Sequence, residues 1–344
     1  MVRKLVQVAQ KVGVSEATVS RVLNGKPGVS DSTRQAVLTA LDVLGYERPT
    51  QLRGVRARLV GLVVPELQNP IFPALAEVAG GALVQLGFTP ILCTRSAGGL
   101  TEAEYVTMLL DQQVSGVIFC GGLSTDESAA LLQRGVPVVL LNAAVEHGGF
   151  PQVSTDDVAA VQQAYAHLTS LGHTRIGLLV GPADHSPSRR KAAAFTTLAH
   201  HHNHNQSRAK HTTTTDTHPI GHALFSFEGG QAVATELLAT GITALICGSD
   251  VLALGAIRAA RRQGLTVPHH LSVVGYDDSA FMNYTDPPLT TLRQPIEAMS
   301  RAAVTLLANQ INGTNPTPKE LLHEPELVVR HSTAPAPTTH TGKR

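Results

Sequence analysis

Val14–Gly25, VSEATVSRVLNG, has the marks of a helix presented to a groove rather than buried in a core. Ser15 stands where an N-cap accepts a backbone N–H and Glu16 puts an acidic group in the first turn, so a helix over about Glu16 to Asn24 is predicted. Val19, Val22 and Leu23 share its inner side. The outer side carries Glu16, Ala17, Ser20, Arg21 and Asn24. Small residues there permit close approach, Arg21 has the forked donors that match guanine, and the hydroxyls of Ser15, Thr18 and Ser20 suit phosphate oxygens. Upstream, Leu5, Val8, Ala9 and Val12 repeat at helical period, and Gly13 supplies the permissive backbone of a tight turn between two helices. Downstream, Ser30 caps a third helix in which Val37, Leu41 and Leu44 recur, with Gly45 as its stop. The three helices read as a helix-turn-helix; a plain three-helix packing module is the competing reading.

The charge supports the first reading. The chain of 344 residues carries a formal +1, but residues 1–58 hold ten Lys/Arg against four Asp/Glu, a net of +6, which leaves the rest at −5. A basic segment on a mildly acidic body suits a phosphate-binding headpiece, where a solvated basic face is the weaker alternative. The length suits two or three compact units. Hydrophobic content of 43% with only 4% aromatics and no Trp points to an α/β interior built from Ala, Val and Leu. Cys93, Cys120 and Cys247 each end an apolar run and read as buried free thiols. The start, MVRKLVQVAQK, lacks a signal-peptide core, and no apolar run approaches ~18 residues, so a cytoplasmic location without membrane contact is expected.

From Leu59 short β-branched runs alternate with helical stretches: LVGLVV, FTPILC, GVIFC, PVVLL, IGLLV, ALIC and SVVGY. This is the pattern of a parallel sheet. No turn carries a G-x-G-x-x-G or Walker loop, and neither G-x-S-x-G nor H-E-x-x-H occurs, so no cofactor, no metal and no catalytic residue is expected, and the protein reads as a binder rather than an enzyme. Open α/β sheets hold ligands at the carboxyl ends of their strands. Asn69, Phe72, Asn142, Asp250 and Asp277 occupy such places. Each alone is as well explained as a helix cap, but their recurrence favours a pocket. Residues 200–222, HHHNHNQSRAKHTTTTDTHPIGH, read as a disordered polar insertion in preference to a metal site, and the tail 332–344, rich in Pro and Thr and without leucine heptads, as disordered.

VAQKVGVSEATVSRVLNG followed by VSDSTRQAV resembles the N-terminal signature of the LacI/GalR family of bacterial transcription regulators, and the resemblance runs from Leu5 to about Thr333. QLRGVRARLVGLVVPELQNPIFPALAEV and DDSAFMNYTDPPLTTLRQPIEAM resemble in particular the actinobacterial regulators of maltose and α-glucoside use. The resemblance implies an all-α helix-turn-helix headpiece (1–48), a hinge helix (49–58) and a periplasmic-binding-protein-like α/β core of two doubly wound lobes (59–331). Lobe 1 would span about 59–154 and 292–320, and lobe 2 about 155–290 and 321–331. In the hinge, Arg53 and Val55 match the residues that enter the minor groove, with Val in place of the usual Leu and Gly54 beside it.

In the core, the family places a basic ligand-binding residue in the helix opened by Ser188, Arg190 and Lys191, with Lys191 the nearest match, and Phe225 matches an aromatic that covers the ligand. Carboxylates, amides, a cation and a stacking ring suit sugar hydroxyls. The expected function is a homodimeric repressor whose grip on double-stranded operator DNA is relieved by a small sugar of maltose or α-glucoside type. The alternatives are a plain sugar-binding protein and a corepressor-dependent regulator with a purine or sugar-phosphate ligand.

Overall fold

The computed structural model describes residues 2–23, 26, 28–43, 58–94, 102–121, 131, 135–143, 149–210, 218–314 and 320–337. They fall into two compact units, 1–58 and 59–344. Asn24, Leu44, Gly45, Arg53 and Val55, and with the last two the hinge, lie outside the described residues.

The first unit is α1 (Val2–Val12), α2 (Glu16–Leu23) and α3 (Asp31–Val43). Val8 and Ala9 of α1, Val19 and Val22 of α2, and Val37, Ala40 and Leu41 of α3 close a small core. The α1–α2 turn passes through Gly13 at φ +70°, a conformation that costs glycine little. Ser15 then caps α2, its Oγ accepting the Thr18 N–H at 3.1 Å, and Ser30 does the same for α3 through Thr33 at 3.2 Å.

The second unit holds two six-stranded sheets. In chain order its elements are β1 (Arg58–Val64), α4 (Ile71–Gln85), β2 (Phe88–Thr94), α5 (Glu102–Asp111), β3 (Gly116–Cys120), β4 (Val138–Leu141), β5 (Gln152–Thr155), α6 (Asp157–Ser170), β6 (Ile176–Val180) and α7 (Ser186–Lys210). There follow β7 (Ile220–His222), α8 (Phe227–Ala239), β8 (Ala244–Cys247), α9 (Asp250–Arg262), β9 (Ser272–Asp277), β10 (Thr290–Arg293), α10 (Ile296–Ile311), β11 (Glu320–His323) and β12 (Glu326–Val328). The strand orders are β11-β5-β4-β3-β1-β2 and β12-β10-β9-β8-β6-β7. β3, β4, β6, β8 and β9 are buried along their whole length, which is why they read as unbroken apolar runs.

The chain crosses between the sheets three times: after β5, after β10, and between β11 and β12. Lobe 1 therefore takes in β5 through Thr155 and β11 through His323, and lobe 2 takes in β10 through Arg293, so the crossovers fall one to three residues from the expected boundaries. α10 returns to lobe 1, where Met299, Ala303, Val304 and Leu307 join the core and the Gln310 side chain bonds both the N–H and the C=O of Val138. β12 pairs antiparallel with β10 and closes lobe 2.

Two expectations of disorder fail for the described part of each segment, residues 200–210 and 218–222 of the His-rich tract and 332–337 of the tail. The first half of the His-rich tract continues α7 to Lys210, because residues 200–210 contain neither Pro nor Gly and the helix is already nucleated and packed upstream; residues 211–217 lie outside the described residues. The tail is ordered through 337. Ser332 is fully buried, its Oγ donating to Val273 O at 2.6 Å and accepting the Thr290 N–H at 2.8 Å, while Ala334 N bonds Ser272 Oγ and Ala336 N bonds Leu171 O. A segment poor in apolar residues is held here by backbone and hydroxyl bonds, which composition does not reveal. No described helix is long and apolar enough to cross a membrane.

Candidate functional site

On α2 the outward positions Glu16, Ala17, Ser20 and Arg21 are exposed, as a groove-facing surface requires. Two of the expected phosphate contacts are already engaged. Ser15 Oγ caps the helix and lies 2.9 Å from Thr18 Oγ1, so these hydroxyls serve the helix start.

In the core, polar side chains gather at the carboxyl ends of β5, β9 and β10 and the starts of α6 and α9, beside two of the crossovers. Asp250, the first residue of α9, is fully buried. Its Oδ1 accepts Thr291 Oγ1 at 2.7 Å and its Oδ2 accepts the Ser279 N–H at 2.7 Å. Gly275 makes room for it, since a Cβ there would stand 2.5 Å from Asp250 Oδ1. Burial pushes the Asp250 carboxyl up to about 6, despite the Thr291 and Ser279 hydrogen bonds that favour its charge.

Asp277 ends β9 at φ +114° and Asp278 follows at φ +56°, both in backbone regions that L residues avoid. The turn is pinned by Arg293 and Arg330, each 2.7 Å from an Asp278 carboxylate oxygen. Asp277 is 4% exposed. Its Oδ1 accepts Gln294 Nε2 at 2.7 Å, and Oδ2 has no hydrogen-bond partner among the described residues. The Asp250 amide lies near enough to favour the Asp277 charge through its field without making a well-aligned bond. Burial, and then the like charge of Asp250, nevertheless raise the Asp277 carboxyl well above the usual carboxylate range. A carboxylate oxygen buried without a donor lacks the partner that such groups ordinarily have.

Gln294 Oε1 accepts Thr155 Oγ1 at 2.6 Å, so a continuous bonded chain runs from Asp277 on lobe 2 to the crossover after β5. Lys191, 6% exposed, points its ammonium to Asp157 Oδ1 at 2.5 Å and lies 4.0 Å from the centre of the Tyr276 ring. The Tyr276 hydroxyl donates to the same Asp157 oxygen at 2.9 Å. His185 sits beside this group, 3.2 Å from Ser188 Oγ and edge-on to Phe225 at 5.3 Å; burial, and then the Lys191 charge, push it down to about 4.

Of the residues expected in the pocket, Asp250, Asp277 and Lys191 converge, and Ser188 and Phe225 adjoin them through His185. Arg190 does not join them: its guanidinium makes a two-pronged pair with Glu320 at 2.5 and 2.8 Å, tying α7 of lobe 2 to β11 of lobe 1. Phe72 is buried in the lobe 1 core, Asn69 Oδ1 faces the Ile71 N–H at 3.4 Å near the start of α4, and Asn142 follows β4 at φ +54°. Asp157, Tyr276, Gln294, Thr155, Thr291 and His185 were not anticipated. Asp157 hid behind Asp156, the true N-cap of α6, and Tyr276 read as one more apolar strand residue.

A helix-turn-helix unit joined in sequence to a two-lobed α/β core with a polar cluster at its strand ends defines a DNA-binding regulator with a small-molecule-binding core. Residues 4–49 match the family described as bacterial regulatory proteins, lacI family, and residues 165–333 match the periplasmic binding protein-like domain. The chain is 50% identical to the HTH-type transcriptional regulators reg1 of Streptomyces lividans and MalR of Streptomyces coelicolor, over 98% of each chain in both cases. It belongs to the lacI family of transcription regulators, and is not an enzyme. Among solved structures it is similar to the transcriptional regulator CelR–cellobiose complex (TM-score 0.69, 32% identity, 95% of this chain and 99% of that one). It is also similar to a lac repressor dimer bound to operator and the anti-inducer ONPF (TM-score 0.71, 28% identity, 95% and 98%).

Proposed function

We propose that the chain is a cytoplasmic homodimeric repressor that holds a two-fold symmetric operator through α2 and releases it when a small sugar binds at Asp250 and Asp277. The observation that carries the sugar reading is the buried, unpartnered Asp277 Oδ2, an acceptor set among fixed groups where a ligand hydroxyl can donate. Lys191 and Phe225 would border the ligand on lobe 2, with Asn69 and Asn142 offering amides at the strand ends of lobe 1. The cellobiose bound to CelR supports a sugar, and the resemblance to maltose and α-glucoside regulators makes sugars of that type the first to test. Leu224, Phe281 and Tyr284, at 72%, 70% and 82% exposure, offer apolar surface that a second copy would cover.

The test is operator affinity of the parent and of Asp277→Ala, each with and without maltose-type sugars. The parent is expected to release DNA with sugar, and the variant to hold DNA and ignore the sugar. Full release of the variant at the parent's effective sugar concentration would remove Asp277 from the site. Tighter DNA binding by the parent with sugar present would make the ligand a corepressor.

A further inference from the structure

Among the described residues, the cations around the Asp250–Asp277 cluster are taken up by carboxylates or backbone carbonyls, while the two central carboxylates have no cation in contact. Lys191 is held by Asp157 at 2.5 Å, Arg190 by Glu320, and Arg293 and Arg330 by Asp278. Arg189, which is exposed, bonds the Asp184 carbonyl. His185 is kept neutral near pH 7 by its burial and by Lys191. Asp250 is bonded by a hydroxyl and an amide N–H, and Asp277 by the Gln294 amide. The cation whose field favours the Asp277 charge is Lys191, and Asp157 takes its hydrogen bond.

An anionic group placed at this cluster would therefore be stripped of water with no cation around it left unpaired among the described residues, whereas a neutral hydroxyl can exchange a hydrogen bond with Asp277 Oδ2 whether that carboxyl is protonated or ionised. We propose that this site admits uncharged, hydroxyl-rich ligands, rejects their phosphate esters, and owes that rejection to Asp157, which neutralises Lys191. The inference rests on this cluster being the effector site. Asp157 is a specificity-determining residue here: it acts on the ligand through the ammonium it holds. Its Oδ1 accepts from Lys191 and Tyr276 together, so replacement by Asn keeps an acceptor of the same shape while removing the compensating charge.

The experiment measures binding by calorimetry to the full-length parent, Asp157→Asn, and the double variant Asp157→Asn/Lys191→Met. The probes are maltose, trehalose and cellobiose, the monophosphate ester of each, and inorganic phosphate. For the parent, whichever neutral sugar binds should exceed its ester by on the order of a hundredfold, because a phosphate buried without a compensating cation loses more hydration than it regains. Asp157→Asn should narrow that ratio by about tenfold or more, and the double variant should restore it, because the gain runs through Lys191. Esters binding the parent as tightly as neutral sugars would overturn the proposal while leaving the sugar reading intact. An unchanged ratio in Asp157→Asn would overturn the role of Asp157. Binding of neither class to the parent would sink the sugar reading itself, and this inference with it. If Asp157→Asn does not fold, the parent's own ratio at pH 5 and pH 8 decides: a preference for neutral sugars that does not grow as the ester takes on its second negative charge is not electrostatic.

Discussion

Asp250 is a buried carboxyl whose protonation leaves a trace in stability. Its carboxyl titrates at about 6 in the folded chain against an ordinary value of 3.8, so below about pH 4 it is protonated in both states and adds no penalty. As pH rises through 6 the folded state must ionise a buried group, and a penalty of about 3 kcal/mol develops, since each pH unit separating the folded and unfolded values is worth roughly 1.4 kcal/mol. Asp277 moves in the same direction. His185 works the opposite way: lowered to about 4 from 6.5, it adds stability that is present above 6.5 and is lost as pH falls through 4. Asp250→Asn should therefore flatten the fall in urea midpoint between pH 4 and 8, whatever its effect at any single pH. An undiminished fall would show that the carboxyl titrates in the ordinary range. At this scale only part of the candidate cluster was legible in the sequence. Asp250 and Asp277 were legible because a polar residue ending an apolar strand is conspicuous. Asp157, Gln294 and Thr155 were not, since their meaning lies in a junction between segments up to 139 residues apart.

At the scale of elements, α2 was legible because its cap, its inner valines and its polar outer face all agree, and the headpiece core packs those same valines. Arg21→Ala should weaken discrimination between operator and scrambled duplex by about 1–3 kcal/mol, the range for a side chain that reads one base edge. Full discrimination in gel-shift titrations at physiological salt would place base reading elsewhere on the helix. The tail is where composition misled. Ending the chain at His331 would strip partners from Val273, Ser272 and Thr290 along β9 and β10. Each buried group left unpaired costs about 1–3 kcal/mol, so the truncated protein should lose several kcal/mol in urea unfolding. A truncation at Thr338, which keeps these bonds, should match the parent. Equal stability of both truncations would mean the bonds to Ser332 and Ala334 contribute nothing net. The same lesson applies to α7: a His- and Asn-rich segment is weak helix on its own, but as an extension of a packed helix it needs only to avoid a breaker.

At the scale of the whole molecule, the question is how occupancy of one site reaches another. Asp277, Gln294 and Thr155 form a bonded path from the proposed effector acceptor to the crossover after β5, and Gln294 itself lies on the crossover after β10. A sugar hydroxyl bonding Asp277 Oδ2 would repolarise the carboxyl whose other oxygen holds Gln294, so the crossovers would register occupancy directly. By linkage, the factor by which sugar weakens DNA binding must equal the factor by which DNA weakens sugar binding, and such couplings are usually about 1–3 kcal/mol. Gln294→Ala should keep operator affinity in the absence of sugar, because Gln294 belongs to the core unit and not to residues 1–58. It should bind sugar more weakly, since Asp277 Oδ1 loses its donor, and the coupling factor should fall in both directions by the same amount. Measuring operator affinity at saturating and zero sugar, and sugar affinity with and without operator, gives all four corners of the cycle for parent and variant. A variant that binds sugar more weakly but keeps the parent's coupling factor would show that the signal leaves the site by another route, with the Arg190–Glu320 bridge between the lobes the next connection to break.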